Sequence, residues 1–195
     1  MGKGAQTRET ILDEALRAAS RDGLGGLSIA GLADAVGMSK SGLFAHFRSK
    51  EQLQLEALQR VADLFVEHVV RPALKSPRGE PRLRTLFDRW LAWDRDAFPG
   101  GCVIQAASAE FDDVPGPVRD FLVDTQRDLK DTLGNMVRAG VEHGAFRKDL
   151  DVEGFAFELL GLVQAYRHHA RLLHDPRAET LARAALERLF NHARA

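Results

Sequence analysis

The chain has 195 residues and a formal net charge of −1, with 27 Lys and Arg against 28 Asp and Glu. Its 45% apolar and 28% charged composition is that of a soluble globular chain able to bury a core unaided, which argues against disorder over the whole length. No apolar run approaches the roughly 20 residues of a membrane helix. Residues 1–6 lack the apolar stretch of a signal peptide, and the single cysteine, Cys102, excludes an intrachain disulfide and a multi-cysteine zinc site. The expectation is a cytoplasmic protein with no membrane partner. The near-zero charge counts against nucleic-acid binding only as a whole-chain average.

Apolar residues recur at helical spacing almost throughout, and no stretch alternates as a strand would, so the chain reads as all-α with about nine helices. The first helix spans 7–22, its apolar face carried by Ile11, Leu12, Ala15, Leu16 and Ala19, and Gly23, Gly25 and Gly26 stop it. The second covers 29–36 with Ser28 as N-cap, and the third 40–46 with Ser39 as N-cap. The fourth, 50–74, opens on Ser49-Lys50-Glu51-Gln52, a capping box in which Ser49 and Gln52 satisfy each other's free donors. Residues 75–79 form a surface loop and a plausible hinge. The fifth helix begins near Pro81 and ends before Pro99; a short sixth covers 102–109. The seventh runs from near Pro115 to about His143, where Gly144 ends it. The eighth covers 152–173 behind Asp151, and the ninth 176–193 behind Asp175-Pro176. The expected division is a small head over 1–52 and a larger helical domain over 53–195.

Residues 28–47 have the plan of a helix-turn-helix: a short helix, a turn holding Gly37, and a second capped helix. The first turn of that second helix is small or basic, which lets its N-terminal end approach a major-groove floor. Lys40 can donate to guanine or phosphate, and Leu43 and Phe47 can hold the helix on the core. Between Met38 and Lys50 stand Lys40, Arg48 and Lys50 and no acid. By itself the pattern leaves a surface helical hairpin as an equal alternative.

Residues 8–56, and above all Ser39-Lys40-Ser41-Gly42-Leu43-Phe44-Ala45-His46-Phe47-Arg48-Ser49-Lys50-Glu51-Gln52-Leu53, resemble the DNA-binding domain of TetR (tetracycline-repressor-like) transcriptional regulators. The resemblance implies base reading by Ser39, Lys40, Ser41, Phe44 and Ala45, and phosphate contacts from Ser28, His46 and Lys50. Phe44 has no hydroxyl to offer a phosphate and suits a thymine methyl. It further implies a homodimer on a palindromic DNA operator, released by a small-molecule effector of unknown identity through a shift of the fourth helix. An activator or effector-independent binder, and a carrier or enzyme with a vestigial head, stay open as alternatives.

In the larger domain the eighth and ninth helices are apolar on more than one face, as a central or interfacial helix is. The expected dimer face comprises Leu159, Leu162, Val163, Tyr166, Ala170, Leu181, Ala184, Ala185 and Leu189. Candidate effector-pocket residues are Phe65, His68, Phe87, Trp90, Leu91, Cys102, Gln105, Phe121, Thr125, Met136 and Phe155, each aromatic among them reading first as ordinary core. Gln105 and Thr125 need partners if buried, a ligand or a backbone carbonyl. Glu110, Asp112 and Asp113 read as a solvated acidic loop. Adjacent His168 and His169 cannot share a metal from one helix, and no phosphate loop, dinucleotide fingerprint or nucleophile elbow occurs. No catalytic residue, metal or cofactor is expected. Residues 1–50 hold 7 basic and 5 acidic side chains and residues 51–195 hold 20 and 23, so a net of +2 faces a net of −3.

Overall fold

The computed structural model describes residues 3–195. Among the described residues the chain is all-helical, in nine helices. They are α1 (Lys3–Asp22), α2 (Ile29–Ala35), α3 (Lys40–His46), α4 (Lys50–Phe65, continued by a π-helical turn Val66–Val70 into Arg71–Lys75), α5 (Glu80–Asp96), α6 (Val103–Glu110), α7 (Pro117–Glu142), α8 (Val152–Arg167, ending in a π-helical turn His168–Leu172) and α9 (Ala178–Ala193). None is long and apolar enough to cross a membrane.

Where boundaries depart from expectation, a local reason is visible. Proline in a helix interior crowds the carbonyl four residues back, and the π turn of α4 spans His68, four residues before Pro72. The widened turn absorbs that clash, so the helix continues instead of ending. Helix α7 starts at Pro117, not Pro115, because Gly116 adopts φ +143° and its carbonyl accepts the Asp120 N–H. Asp175 accepts the Arg177 N–H at 2.9 Å, closing a turn ahead of α9 rather than capping the helix at 176. Gln52 N–H reaches Ser49 Oγ as expected, but the Gln52 side chain reaches back to Arg48 N–H, one residue earlier than the predicted box.

The chain forms two compact units. One comprises residues up to Phe65 with Arg95–Thr125, the other Val66–Asp94 with Gln126–Ala195. In the first, Ile11, Leu16, Leu24, Leu43, Phe47, Leu53 and Leu58 are fully buried. The second is centred on Phe146, Phe155 and Phe190, whose ring centroids lie 5.7–6.2 Å apart. Its α5 is tied to α8 by a buried ion pair, Arg167 Nη1 to Asp94 Oδ1 at 2.6 Å.

At the chain end Glu80 accepts from Arg194 at 2.7 Å and from Arg84 at 2.6 Å, and Arg84 also bonds Glu187. Arg194 foremost, with Arg84, holds the Glu80 carboxyl at about 2 rather than 4.5, against the opposing effect of burial. A carboxyl whose pKa is lower folded than unfolded adds stability that is complete above the unfolded value and lost as pH falls through the folded one. The wild-type chain is therefore expected to lose thermal stability between pH 4.5 and about 2 more steeply than Glu80→Gln. Parallel melting curves across that range would take Glu80 out of the acid response.

Candidate nucleic-acid interface

The turn between α2 and α3 is built by glycine. Gly37 sits at φ +67°, its N–H bonds the Asp34 carbonyl, and the Met38 N–H bonds the Ala33 carbonyl. That paired closure satisfies the last carbonyls of α2 and needs a left-handed residue at its corner. Each helix then begins on a serine cap: Ser28 Oγ accepts from Gly31 N–H and Ser39 Oγ from Gly42 N–H, both at 3.0 Å. A capping hydroxyl that accepts still has its own proton to donate. Ser39 shares a hydrogen bond with Ser41 at 3.2 Å.

Leu43 and Phe47 are completely buried and fasten α3 to the core. The opposite side presents Lys40, Ser41, Phe44 and Ala45, all exposed, with Phe44 at 51%. Lys40, Ser41, Phe44 and Ala45 fall at helical spacings of one, four and five and share one outward face, whereas Arg48 lies past the end of α3. An apolar ring left half in water beside a lysine and two hydroxyls suits a surface that is covered on binding.

The remaining expected contacts are more tightly held. His46 is half-buried, its ring tilted against Phe47 at 6.5 Å, and its carbonyl accepts from Arg8. Lys50 Nζ donates to the Gly25 carbonyl at 2.5 Å, so a phosphate must compete with that bond. Arg48 was counted in the basic stretch from the sequence but was given no contact of its own. Its side chain is exposed, in the bend that follows α3. Arg8 is the other omission. It grips Glu56 with two nitrogens and lies 4.5 Å over the Phe47 ring, tying α1, α3 and α4 together.

Glu110 is exposed, as a solvated acid is, and it has a further role: its carboxylate accepts the Leu24 N–H at 2.9 Å and the Gly25 N–H at 2.8 Å in the loop before α2.

The expected effector residues fall in both units. Phe65, Cys102, Gln105, Phe121 and Thr125 lie in the first and the others in the second. Phe155 belongs to the phenylalanine core, and Phe87, Trp90, Leu91 and Met136 are buried with it. His68 is exposed, stacked 6.2 Å from Trp93, so it is not an enclosed wall residue. Thr125 donates to the Phe121 carbonyl at 2.8 Å and is satisfied within its own helix. Gln105 differs: both atoms of its amide are shut away from solvent, and no group among the described residues bonds them.

The expected dimer residues divide likewise. Leu159, Val163, Tyr166 and Leu189 are buried in the chain's own core and cannot form an outer face. Leu162, Ala170 and Ala185 are half-buried, and Leu181 and Ala184 are exposed. An exposed apolar stripe lies on another face of α8, through Phe157 (77% exposed), Gly161 and Ala165, with Leu160 half-buried beside them.

A capped helix-turn-helix with an outward, acid-free cationic face is the head of a DNA-binding protein. Residues 11–57 match the bacterial regulatory proteins of the tetR family, and residues 79–186 match the tetracyclin repressor-like C-terminal domain. The HTH-type transcriptional repressor KstR2 of Mycolicibacterium smegmatis is 24% identical over 149 residues, 76% of this chain and 72% of that protein. A TetR transcriptional regulator from Chloroflexus aurantiacus has the same fold at TM-score 0.87 and 25% identity, over 98% of this chain and 96% of its own. AibR, solved with isovaleryl coenzyme A and operator DNA, shares the fold at TM-score 0.74 and 24% identity, over 94% and 98% of the two chains. The chain belongs to the TetR family and is a DNA-binding transcriptional regulator.

Proposed function

We propose that this regulator is a cytoplasmic, ligand-responsive repressor that grips a palindromic operator as a homodimer and is released by a small molecule. The reading head is residues 1–52, and residues 53–195 serve effector binding and dimerisation. Ser28, Ser39, Lys40, Ser41, Phe44, Ala45, His46 and Lys50 carry the contacts, joined by Arg48. The observation behind the ligand is Gln105. A buried amide without a partner costs free energy, and an effector offering a donor and an acceptor would repay it. The repressor named KstR2 and the acyl-CoA and operator complex of AibR support this reading. An effector that displaces α4 changes the spacing of two heads, and a few kcal/mol of coupling lowers occupancy about a hundredfold.

Selection of bound duplexes from random DNA should enrich an inverted repeat, and titrating metabolites against that duplex should find one that releases it. Enrichment without any releasing compound would point to an effector-independent binder. No enrichment at physiological salt would sink the reading.

The dimer face we assign is the exposed stripe of α8 with Leu181 and Ala184 of α9, because a contiguous exposed apolar surface marks an interaction site. A two-fold pair of heads matches two half-sites about a DNA turn or more apart. Phe157→Glu is expected to halve the sedimentation mass and weaken operator binding by about a hundredfold or more, since one head then binds alone. An unchanged mass would place the interface elsewhere.

A further inference from the structure

We propose that Glu110 is a positioning residue for DNA binding, a clasp by which α6 sets the phosphate-contacting edge of the head. The loop at residues 23–26 connects α1 to α2, and it is gripped on several sides. Glu110 receives the backbone N–H of both Leu24 and Gly25. Gln54, buried on α4, donates to the Leu24 carbonyl at 2.9 Å. Lys50 donates to the Gly25 carbonyl. Gly25 thus lies between a carboxylate on its amide side and an ammonium on its carbonyl side. Three residues further on stands Ser28, the cap of α2. Ser28, one of the expected phosphate contacts, is therefore placed through a peptide that Glu110 holds, and Lys50 must leave that same peptide to meet a phosphate.

The approach is close, and at Gly25 it is made by the movable end of the Glu110 side chain. A methyl group added at Gly25 would stand 2.3 Å from Glu110 Oε1. Ahead of α6, the Gly100 N–H donates to Ser20 Oγ at 3.1 Å, and a methyl there would lie 1.4 Å from the Ser20 carbonyl oxygen. Two fastenings, one before α6 and one at its last residue, thus bind it to the end of α1 and the loop that follows. Gln105 is five residues before Glu110, about 7.5 Å along the same helix.

The sign of the effect separates positioning from plain charge. Removing an acid from a DNA-binding protein should by electrostatics alone strengthen binding to a polyanion. A clasp predicts the reverse. The probe is the duplex selected by the wild-type chain, and anisotropy titrations are run from 50 to 200 mM salt with the whole 195-residue chain. Glu110→Ala should weaken binding about tenfold or more, with a shallower dependence of log K on log salt, because phosphate contacts are lost. Glu110→Gln keeps one acceptor and should fall between. Asp112→Ala removes the same charge from the same segment without a clasp and should bind as tightly as wild type or more so.

Lys50→Ala should weaken wild type more than it weakens Glu110→Ala, since the two act through Gly25. Both Glu110 variants binding like wild type, or a loss that only tracks the unfolded fraction in circular dichroism at unchanged salt slope, overturns the clasp. A wild-type chain that selects no duplex overturns the DNA reading and the clasp together.

Discussion

Arg167→Met is expected to cost about 3–5 kcal/mol of stability, as breaking one side of a buried ion pair does. Asp94 is 1% exposed and receives Arg167 Nη1 at 2.6 Å, while Arg171 donates to its backbone carbonyl at 3.3 Å. Methionine keeps the bulk of the arginine stem but leaves the carboxylate in a low-dielectric site without that counter-charge. A domain is stable by only about 5–15 kcal/mol, so the loss is a large part of the total. It should appear as a denaturant midpoint shifted down at unchanged slope. Asp94→Asn should cost less, because the remaining arginine is 21% exposed and water reaches it. A loss below about 1 kcal/mol for Arg167→Met would mean the pair behaves as a surface ion pair.

Lys40→Ala should produce the largest loss of operator affinity among single head substitutions. Lys40 is exposed on the outward face of α3, in the first helical turn, where side chains reach base edges. A lysine on guanine is worth about 1–3 kcal/mol, and a dimer carries two, so affinity should fall at least tenfold and by more than a hundredfold at the upper end. If Lys40 reads a base, the selected sequence should relax at one position in each half-site. If it holds a phosphate, binding should weaken evenly and the salt slope should drop by about one per head. Lys50→Ala should cost less, because in the free protein its ammonium already has the Gly25 carbonyl to leave. Operator affinity unchanged by Lys40→Ala would remove α3 from the reading role.

Local chemistry was legible wherever one residue type decides a conformation. Serine caps at Ser28 and Ser39, a left-handed glycine at Gly37 and the stop at Gly144 marked helix ends that the structure reproduces closely. The apolar period likewise identified Leu43 and Phe47 as core. What escaped was any partnership across many residues. Arg8 with Glu56, Arg167 with Asp94 and Glu110 with Leu24 and Gly25 have no signature in spacing, because nothing local brings them together. The dimer face we propose lies on a neighbouring stripe for a related reason. Helix α8 is apolar on two faces, and periodicity does not say which of them the chain covers itself.

The sequence alone therefore determined the helical class, the order of the helices, the helix-turn-helix and the basic edge, all set by interactions within a few residues. Tertiary structure decided which charges are committed. Glu110 and Lys50 proved to be bound to backbone, Lys40 lies exposed on α3 and Arg48 exposed just beyond it, and Asp94 is buried against Arg167. Whether a charge is available to DNA depends on what folding places beside it, and those neighbours come from as far as 86 residues away in the chain.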